Sequence, residues 1–336
     1  MLGILGHSDL VFGAQVSLAG NIAQDGVIGA QVGGAVAVSY GPVTGVQASG
    51  YNMAPGGMKG AQLGWIANVA TGKMHGAQVS LVNVTKGKVH GVQVGLANVV
   101  RSESTDPDVS DSEGTQIGLA NVMTGKAAIS GASVGLVNVA HKQHGVQIGL
   151  VNVADEFDGV QVGLVSVARK NSGVSIGLVP VVLDGENHLT LDWNTTGAAN
   201  LGFKLGTRRV FISASVGITR DRELDGSRFC SSSFGFGIHA IPRDRRLFLD
   251  IGASATGFAS GSSPKYASRM VSSLRVQVGY AIASHLAIVA GPILNVQTAW
   301  DNADRLPRGV SSFEQVWTSG GTTVRMYPGL IAGLEF

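Results

Sequence analysis

Apolar and polar positions repeat along the first half of the chain as one ten-residue phrase. It is close to GVQVGLVNVA and returns about eleven times between Gly13 and Leu183. Clean copies occupy 76–85 (GAQVSLVNVT), 91–100 (GVQVGLANVV), 145–154 (GVQIGLVNVA) and 159–168 (GVQVGLVSVA); others begin at Gly13, Gly29, Gly45, Gly60, Gly114, Gly131 and Gly173. Most copies start 14 to 17 residues apart, a self-similarity that governs the fold of this region. Within the phrase, positions 2, 4, 6, 7 and 9 are apolar, while 1, 3, 5 and 8 are Gly, Gln, Gly or Ser, and Asn. Valine, isoleucine and alternation predict strands, and the glycine density is incompatible with helix. The alternation slips between positions 6 and 7, so neither face of one continuous strand is wholly apolar.

Two arrangements accommodate that slip. Read as antiparallel hairpins, consecutive copies put position 8 opposite position 3 of the next copy, and opposed residues share a face. Asn83 then meets Gln93, Asn138 meets Gln147 and Asn152 meets Gln161, forming an amide belt. Each face is apolar over half the strand's height, at opposite heights, and the expected lipid-facing residues are Val79, Leu81, Val94, Leu96, Ile148, Leu150, Val162 and Leu164. Two offset half-bands suit a sheet that meets lipid to half-depth on each side, and this is the reading preferred. The alternative is a β-solenoid of parallel coils, which the short linkers favour. There Leu at position 6 forms a core column and Gln and Asn form ladders. Ser133 and Ser175 replace the Gln, and Ser166 the Asn, so an amide belt is interrupted there. In the last copy Pro180 takes the Asn position; lacking an N–H, it marks an edge, a bulge or the close of the array.

Beyond Asn187 the pattern becomes one of longer alternating strands, expected at 187–194, 197–206, 209–219, 228–241, 246–258, 268–281, 285–298 and 324–336. Tight connections (206–209, 242–245, 283–285) alternate with longer ones (221–226, 260–267, 300–323), as in an outer-membrane meander. Leu247, Leu249, Ile251 and Ala253 alternate against Phe248, Asp250, Gly252 and Ser254, and Leu274, Val276 and Val278 against Arg275, Gln277 and Gly279. Tyr266, Tyr280, Trp300, Trp317 and Tyr327 fall near strand ends, where interfacial aromatics belong. The final strand alternates Leu330, Ala332, Leu334 and Phe336 to an aromatic end, which resembles the signal by which bacterial outer-membrane barrels are recognised by the barrel-assembly machinery. Counting strands back from Phe336 as hairpins puts the linker 101–113 on the side of the long C-terminal loops. An even-numbered barrel needs residues 2–12 as a further strand. The division expected is a strand-repeat region over 1–183 and a meander over 184–336, possible as one continuous antiparallel, porin-like β-barrel. The alternative is a solenoid followed by an eight-stranded barrel.

Composition narrows the classes. With 49 Gly in 336 residues and 14% charged residues, the chain is neither disordered nor an ordinary soluble domain. A net charge of +2 without a basic, aromatic-interleaved stripe points away from nucleic acid. No apolar run reaches the ~18 residues of a spanning helix, so a membrane protein of this sequence crosses with strands. The single cysteine, Cys230, excludes an internal disulfide. The first residues lack the build of a signal peptide, which an exported protein has removed. Asp106, Asp108, Asp111 and Glu113 in the acidic linker lack the full calcium-loop pattern and read as a solvated loop. His75, His90, His141 and His144 lie in linkers, and the HKQH spacing reads as a turn in preference to a metal site. Arg208, Arg209, Arg243, Arg245 and Arg246 cluster in short turns, where headgroups or water are their expected partners. No nucleophile elbow, HExxH or P-loop lysine is present, so neither an enzyme nor a cofactor is expected.

The GxQxGLxNxA phrase, together with the terminal strand, resembles bacterial surface-repeat outer-membrane proteins, and is similar to the porin-like, ring-forming PopA/MIDAS family of predatory bacteria and their relatives. The resemblance implies a homo-oligomeric ring in the outer membrane that encloses membrane lipid. A conventional porin for small solutes and a surface-exposed solenoid adhesin or scaffold are the alternatives.

Overall fold

A computed structural model describes residues 2–102, 112–125, 128–195, 198–220, 228–243, 246–260, 269–300 and 313–336. All of its regular structure is β, and the chain divides into two compact units, Met1–Leu178 and Val179–Phe336.

The first unit is a parallel β-solenoid, so the hairpin arrangement is corrected. Each copy stacks in register on the next: Gly60 on Gly76, Gln62 on Gln78, Asn68 on Asn83, and Asn121 between Asn98 and Asn138. With the strands parallel, Asn83 does not face Gln93, and the strand count and sidedness drawn from hairpins fall with it. Residues 2–12 do form strand, as part of Leu2–Gly33. The slip in the alternation is the corner of a coil. At Gly95–Leu96 the chain bends between the strands Val89–Val94 and Ala97–Ser102, so side chains on either side of the bend both face out.

The glycine at position 1 is demanded by the stacking. Gly76 has φ 128°, and a Cβ there would run into the carbonyl of Gly60; Gly29, Gly45, Gly60, Gly91, Gly131, Gly145 and Gly159 repeat both features. A side chain at any of these positions would part adjacent coils. The strand Val174–Val182, which contains the buried Pro180, pairs with Val137–Asn171 and ends the array.

The second unit is an antiparallel sheet closed on itself. Its strands are His188–Asn194, Ala198–Gly206, Val210–Arg220, Arg228–Ile241, Leu247–Ser260, Arg269–Ala283, Leu286–Ala299 and Thr322–Glu335, with Gln315–Ser319 added as a short ninth on the last. Thr190 pairs with Glu335 and Asn194 with Ile331, which joins first strand to last and closes eight strands. These strands fall where the sequence puts them, within about two residues at each end. An eight-stranded ring has an interior just wide enough to be filled by side chains.

Candidate functional site

Both units are polar inside and apolar outside. In the solenoid, positions 3, 8 and 10 point inward. Gln62, Gln78, Gln93, Gln147 and Gln161 and Asn68, Asn83, Asn98, Asn138 and Asn152 are all fully buried. They form two amide ladders; the Asn ladder is unbroken from Asn52 to Ser166, and the Gln ladder breaks once, between Gln116 and Ser133. Gln78 donates to Gln62 at 2.7 Å, Gln93 to Gln78 at 2.7 Å and Gln161 to Gln147 at 2.8 Å. Asn83 donates to Asn98 at 2.8 Å, Asn98 to Asn121 at 2.9 Å and Asn138 to Asn152 at 2.8 Å. The second Asn proton goes to a corner carbonyl of the next coil, as from Asn83 to Val94 O at 2.8 Å and from Asn98 to Ile117 O at 2.9 Å. This second bond fixes which end of the Asn amide is nitrogen. The ladders therefore run with opposite polarity: Gln amides donate toward the N-terminal coils and Asn amides toward the C-terminal ones.

Most interruptions are bridged locally, although Gln116 Oε1, beside Ser133, has no hydrogen-bond partner. Ser133 is too short to reach the next rung, and Gln143 fills the column by donating to Ser133 Oγ at 3.2 Å and accepting from Gln147 at 2.8 Å. Where Ala37 breaks the Asn column, Ser49 donates to Asn52 Oδ1 at 2.8 Å. Ser175 closes the Gln ladder on Gln161 at 2.9 Å, and Asn152 ends on Ser166 at 3.5 Å. The apolar part of the interior is mostly Ala, Val and Met, including Met58, Met74 and Met123, with Ile129 and Phe157.

The outer wall carries what an ordinary solenoid buries. Val79, Leu81, Val94, Leu96, Ile148, Leu150, Val162 and Leu164 all lie on it, each 37 to 54% exposed. The leucine core column expected of a solenoid is thus corrected: position 6 sits on the outside of the bend. The corner leucines stack through their backbones instead, Leu96 N on Leu81 O at 2.9 Å and Leu136 N on Leu119 O at 3.0 Å. In one coil an extra residue bulges out, shifting the register between Ser49 and Tyr51 and leaving Trp65 76% exposed in the middle of this apolar edge. The opposite edge is a polar rim of Lys, His and Thr.

The barrel repeats the inversion. Leu191, Leu201, Val216, Phe236, Leu274 and Leu330 are exposed on its outside, with Phe336 exposed and Leu334 half-buried on the same face. Inside, toward the short turns, Lys204 contacts Asp250 at 2.9 Å and also Glu335. Arg243 contacts Asp250 at 2.9 Å and also Glu335, and His239 Nδ1 lies 2.7 Å from Asp250. Arg243 stacks 3.9 Å over the Phe248 ring, for which Gly279 leaves room. The expectation that Arg243 meets headgroups or water is therefore corrected, because two buried carboxylates draw it inward. Those carboxylates hold its pKa above the ordinary arginine value despite its burial. Arg208, Arg209 and Arg246 are exposed. Tyr327, expected at the interface, is buried inside, since it shares the parity of Glu335; Tyr280, Trp300 and Trp317 are exposed.

Among the described residues the barrel interior holds two small cavities of about 30 and 20 Å³, each room for about one water. At the entry to the barrel, Glu186 has its pKa lowered by the hydrogen bond from His188, 3.1 Å away. The HKQH segment lies in strand: His141 pairs with Asp155 at 2.6 Å, His144 with Asp158 at 3.6 Å, and Gln143 points inward. Among the described residues no three His, Cys, Asp or Glu form a metal-holding group. Asp106, Asp108, Asp111, Arg245 and Tyr266 lie outside the described residues.

No family model, curated protein or solved structure matches the chain. The sequence marks the Gln and Asn of the inverted interior together, but it does not bring Lys204, Asp250, Glu335, His239 and Arg243 into one cluster. Alternation marks Asp250 as inward-facing, yet Lys204 and Glu335, which complete the cluster, come from strands far from it in sequence.

Proposed function

We propose that the chain is an outer-membrane structural protein that organises lipid, with a barrel that spans the bilayer and a solenoid that inserts an apolar wall into one leaflet. One observation carries this reading: both units bury amides or charges and expose leucine, valine and phenylalanine. In water that distribution is unfavourable by roughly 25 cal/mol for each Å² of apolar surface left exposed, and contiguous apolar patches mark membrane or protein contact. Seven of the barrel strands run 9 to 15 residues, and ~9–11 suffice to cross the hydrocarbon core. On the solenoid, positions 2 to 6 rise by four strand steps, ~13 Å, against ~15 Å for half the core.

The resemblance to ring-forming surface-repeat proteins adds the expectation of a homo-oligomer with lipid at its centre, and the apolar wall supplies a surface suited to it. The buried side chains of Lys204, His239, Asp250 and Glu335 inside the barrel weigh against solute conduction by a conventional porin, and an apolar outer wall weighs against a water-exposed adhesin. Purification of the full chain in mild detergent, imaging by electron microscopy and assay of lipid phosphorus on the same sample test the reading. Assemblies with lipid density and several phospholipids per chain are expected. Lipid-poor monomers with an open lumen would return the porin, and particles soluble without detergent the adhesin.

A further inference from the structure

The polar rim of the solenoid segregates its charges. From Gly26 to Ser102 the chain has five Lys or Arg (Lys59, Lys73, Lys86, Lys88 and Arg101) and no Asp or Glu. Lys59, His75 and His90 share one register column, which meets Glu113 on the coil after His90, and the two imidazoles stack 4.7 Å apart. Lys86 stands beside Arg101 on the next coil. Lys73 and Lys88 turn the corner, their carbonyls accepting from Met58 N and Met74 N at 2.8 Å. Adjacent coils are ~4.8 Å apart, so cations are stacked at a spacing where like charges repel.

The repeat does not force this. Further along the same rim four cationic side chains meet carboxylates on an adjacent coil: Lys142 with Glu156 at 2.9 Å, Arg169 with Glu156 at 3.7 Å, His141 with Asp155 and His144 with Asp158. Lys142 holds the Glu156 pKa below its ordinary value through that hydrogen bond. In the earlier coils Lys88 and Arg101 make interactions of their own, and Lys59, Lys73 and Lys86 are the exposed cations of the rim.

We propose that this basic rim binds the phosphates of anionic phospholipid headgroups while the wall beside it lies among their acyl chains. The inference rests on the wall being lipid-facing, and it adds which lipids are gathered there. Lys59 directly precedes position 1 and stands two strand steps, ~7 Å, from the first wall position. The headgroup layer is ~5–8 Å deep, so the ammonium groups fall at phosphate level. Charge complementarity commits the surface to an anionic monolayer.

Trp65 reports on both claims, since it projects from the apolar edge of the coil that carries Lys59. The full chain, with Trp193→Phe, Trp300→Phe and Trp317→Phe, is reconstituted with lipids brominated in the acyl chain. Quenching of Trp65 is compared between brominated phosphatidylglycerol and brominated phosphatidylcholine. Phosphatidylglycerol is expected to win by at least about fivefold at low salt, the effect of a single charge near an anionic surface. The preference should vanish in 1 M salt and in a Lys59→Gln/Lys73→Gln/Lys86→Gln variant, and persist in Lys142→Gln. Equal quenching by both lipids overturns the headgroup inference and leaves the wall reading intact, as does a preference that survives the triple substitution. Absence of quenching by either lipid overturns both.

Discussion

Inside the solenoid each polar column is built mainly of one residue type, whereas inside the barrel the charged groups hold different partners from different strands. The contrast follows from symmetry. A stack of translated coils sets every side chain against a copy of itself, so a buried polar group must be complementary to itself. A carboxamide is, having donor and acceptor in one group; a carboxylate or an ammonium is not. Antiparallel strands closed into a ring set unlike residues side by side, and there Lys204, Arg243 and His239 converge on Asp250 and Glu335. Both interiors avoid water, one by neutrality and the other by opposite charge.

Substitutions that exchange these chemistries break the comparison most sharply. Asn98→Asp replaces two donors by a buried charge facing Ile117 O and Asn121 Oδ1, and a loss on the order of 5 kcal/mol is expected from the unpaired carboxylate. Denaturant unfolding of the full chain in detergent measures it; wild-type stability would mean that the ladder is not a closed hydrogen-bonded column. Asp250→Ala strips the barrel cluster of a carboxylate shared by Lys204, His239 and Arg243, and should cost about 3–5 kcal/mol. The temperature at which the folded band disappears on semi-native gels reads this out.

Next in size, Gly76→Ala should cost about 2–4 kcal/mol, from its positive φ and its contact with Gly60. Gly257→Ala in the barrel has open space around it and should stay within about 0.5 kcal/mol of wild type. Equal effects at the two glycines would remove the distinction between a stacked and a ring-closed backbone. The smallest effect expected is at Glu186. Because His188 lowers its pKa in the folded state, its contribution is present above the ordinary glutamate value and is lost as the pH falls through the lower, folded one. Unfolding midpoints of wild type and Glu186→Gln should therefore differ slightly near neutral pH and converge in acid.

The barrel was almost fully legible, because period-two alternation and tight turns such as 206–209 define strands without reference to their partners. The repeat was legible as strand but not as pairing. A phrase of near-identical copies satisfies antiparallel and parallel registers alike, and alternation says which residues share a face without saying which lie side by side. The deciding cue was chemical: Gln and Asn recurring in place can pair with themselves, and glycine recurring at position 1 has room for nothing but another coil. The outward leucine was hidden for a different reason. The bend at Gly95–Leu96 reads, in one dimension, as a fault in the alternation. The charged cluster depends on ring closure between Thr190 and Glu335, a contact that no local pattern carries.

The opposed polarity of the two amide ladders bears on how such an array grows. Each added coil contributes one glutamine dipole and one asparagine dipole in opposite senses, so electric polarisation does not accumulate along the stack. A duplicated coil meets the same local surroundings as its parent whatever the number already present. Array length is thereby released from electrostatic constraint, and a gene that stutters by whole repeats yields longer or shorter walls of the same construction.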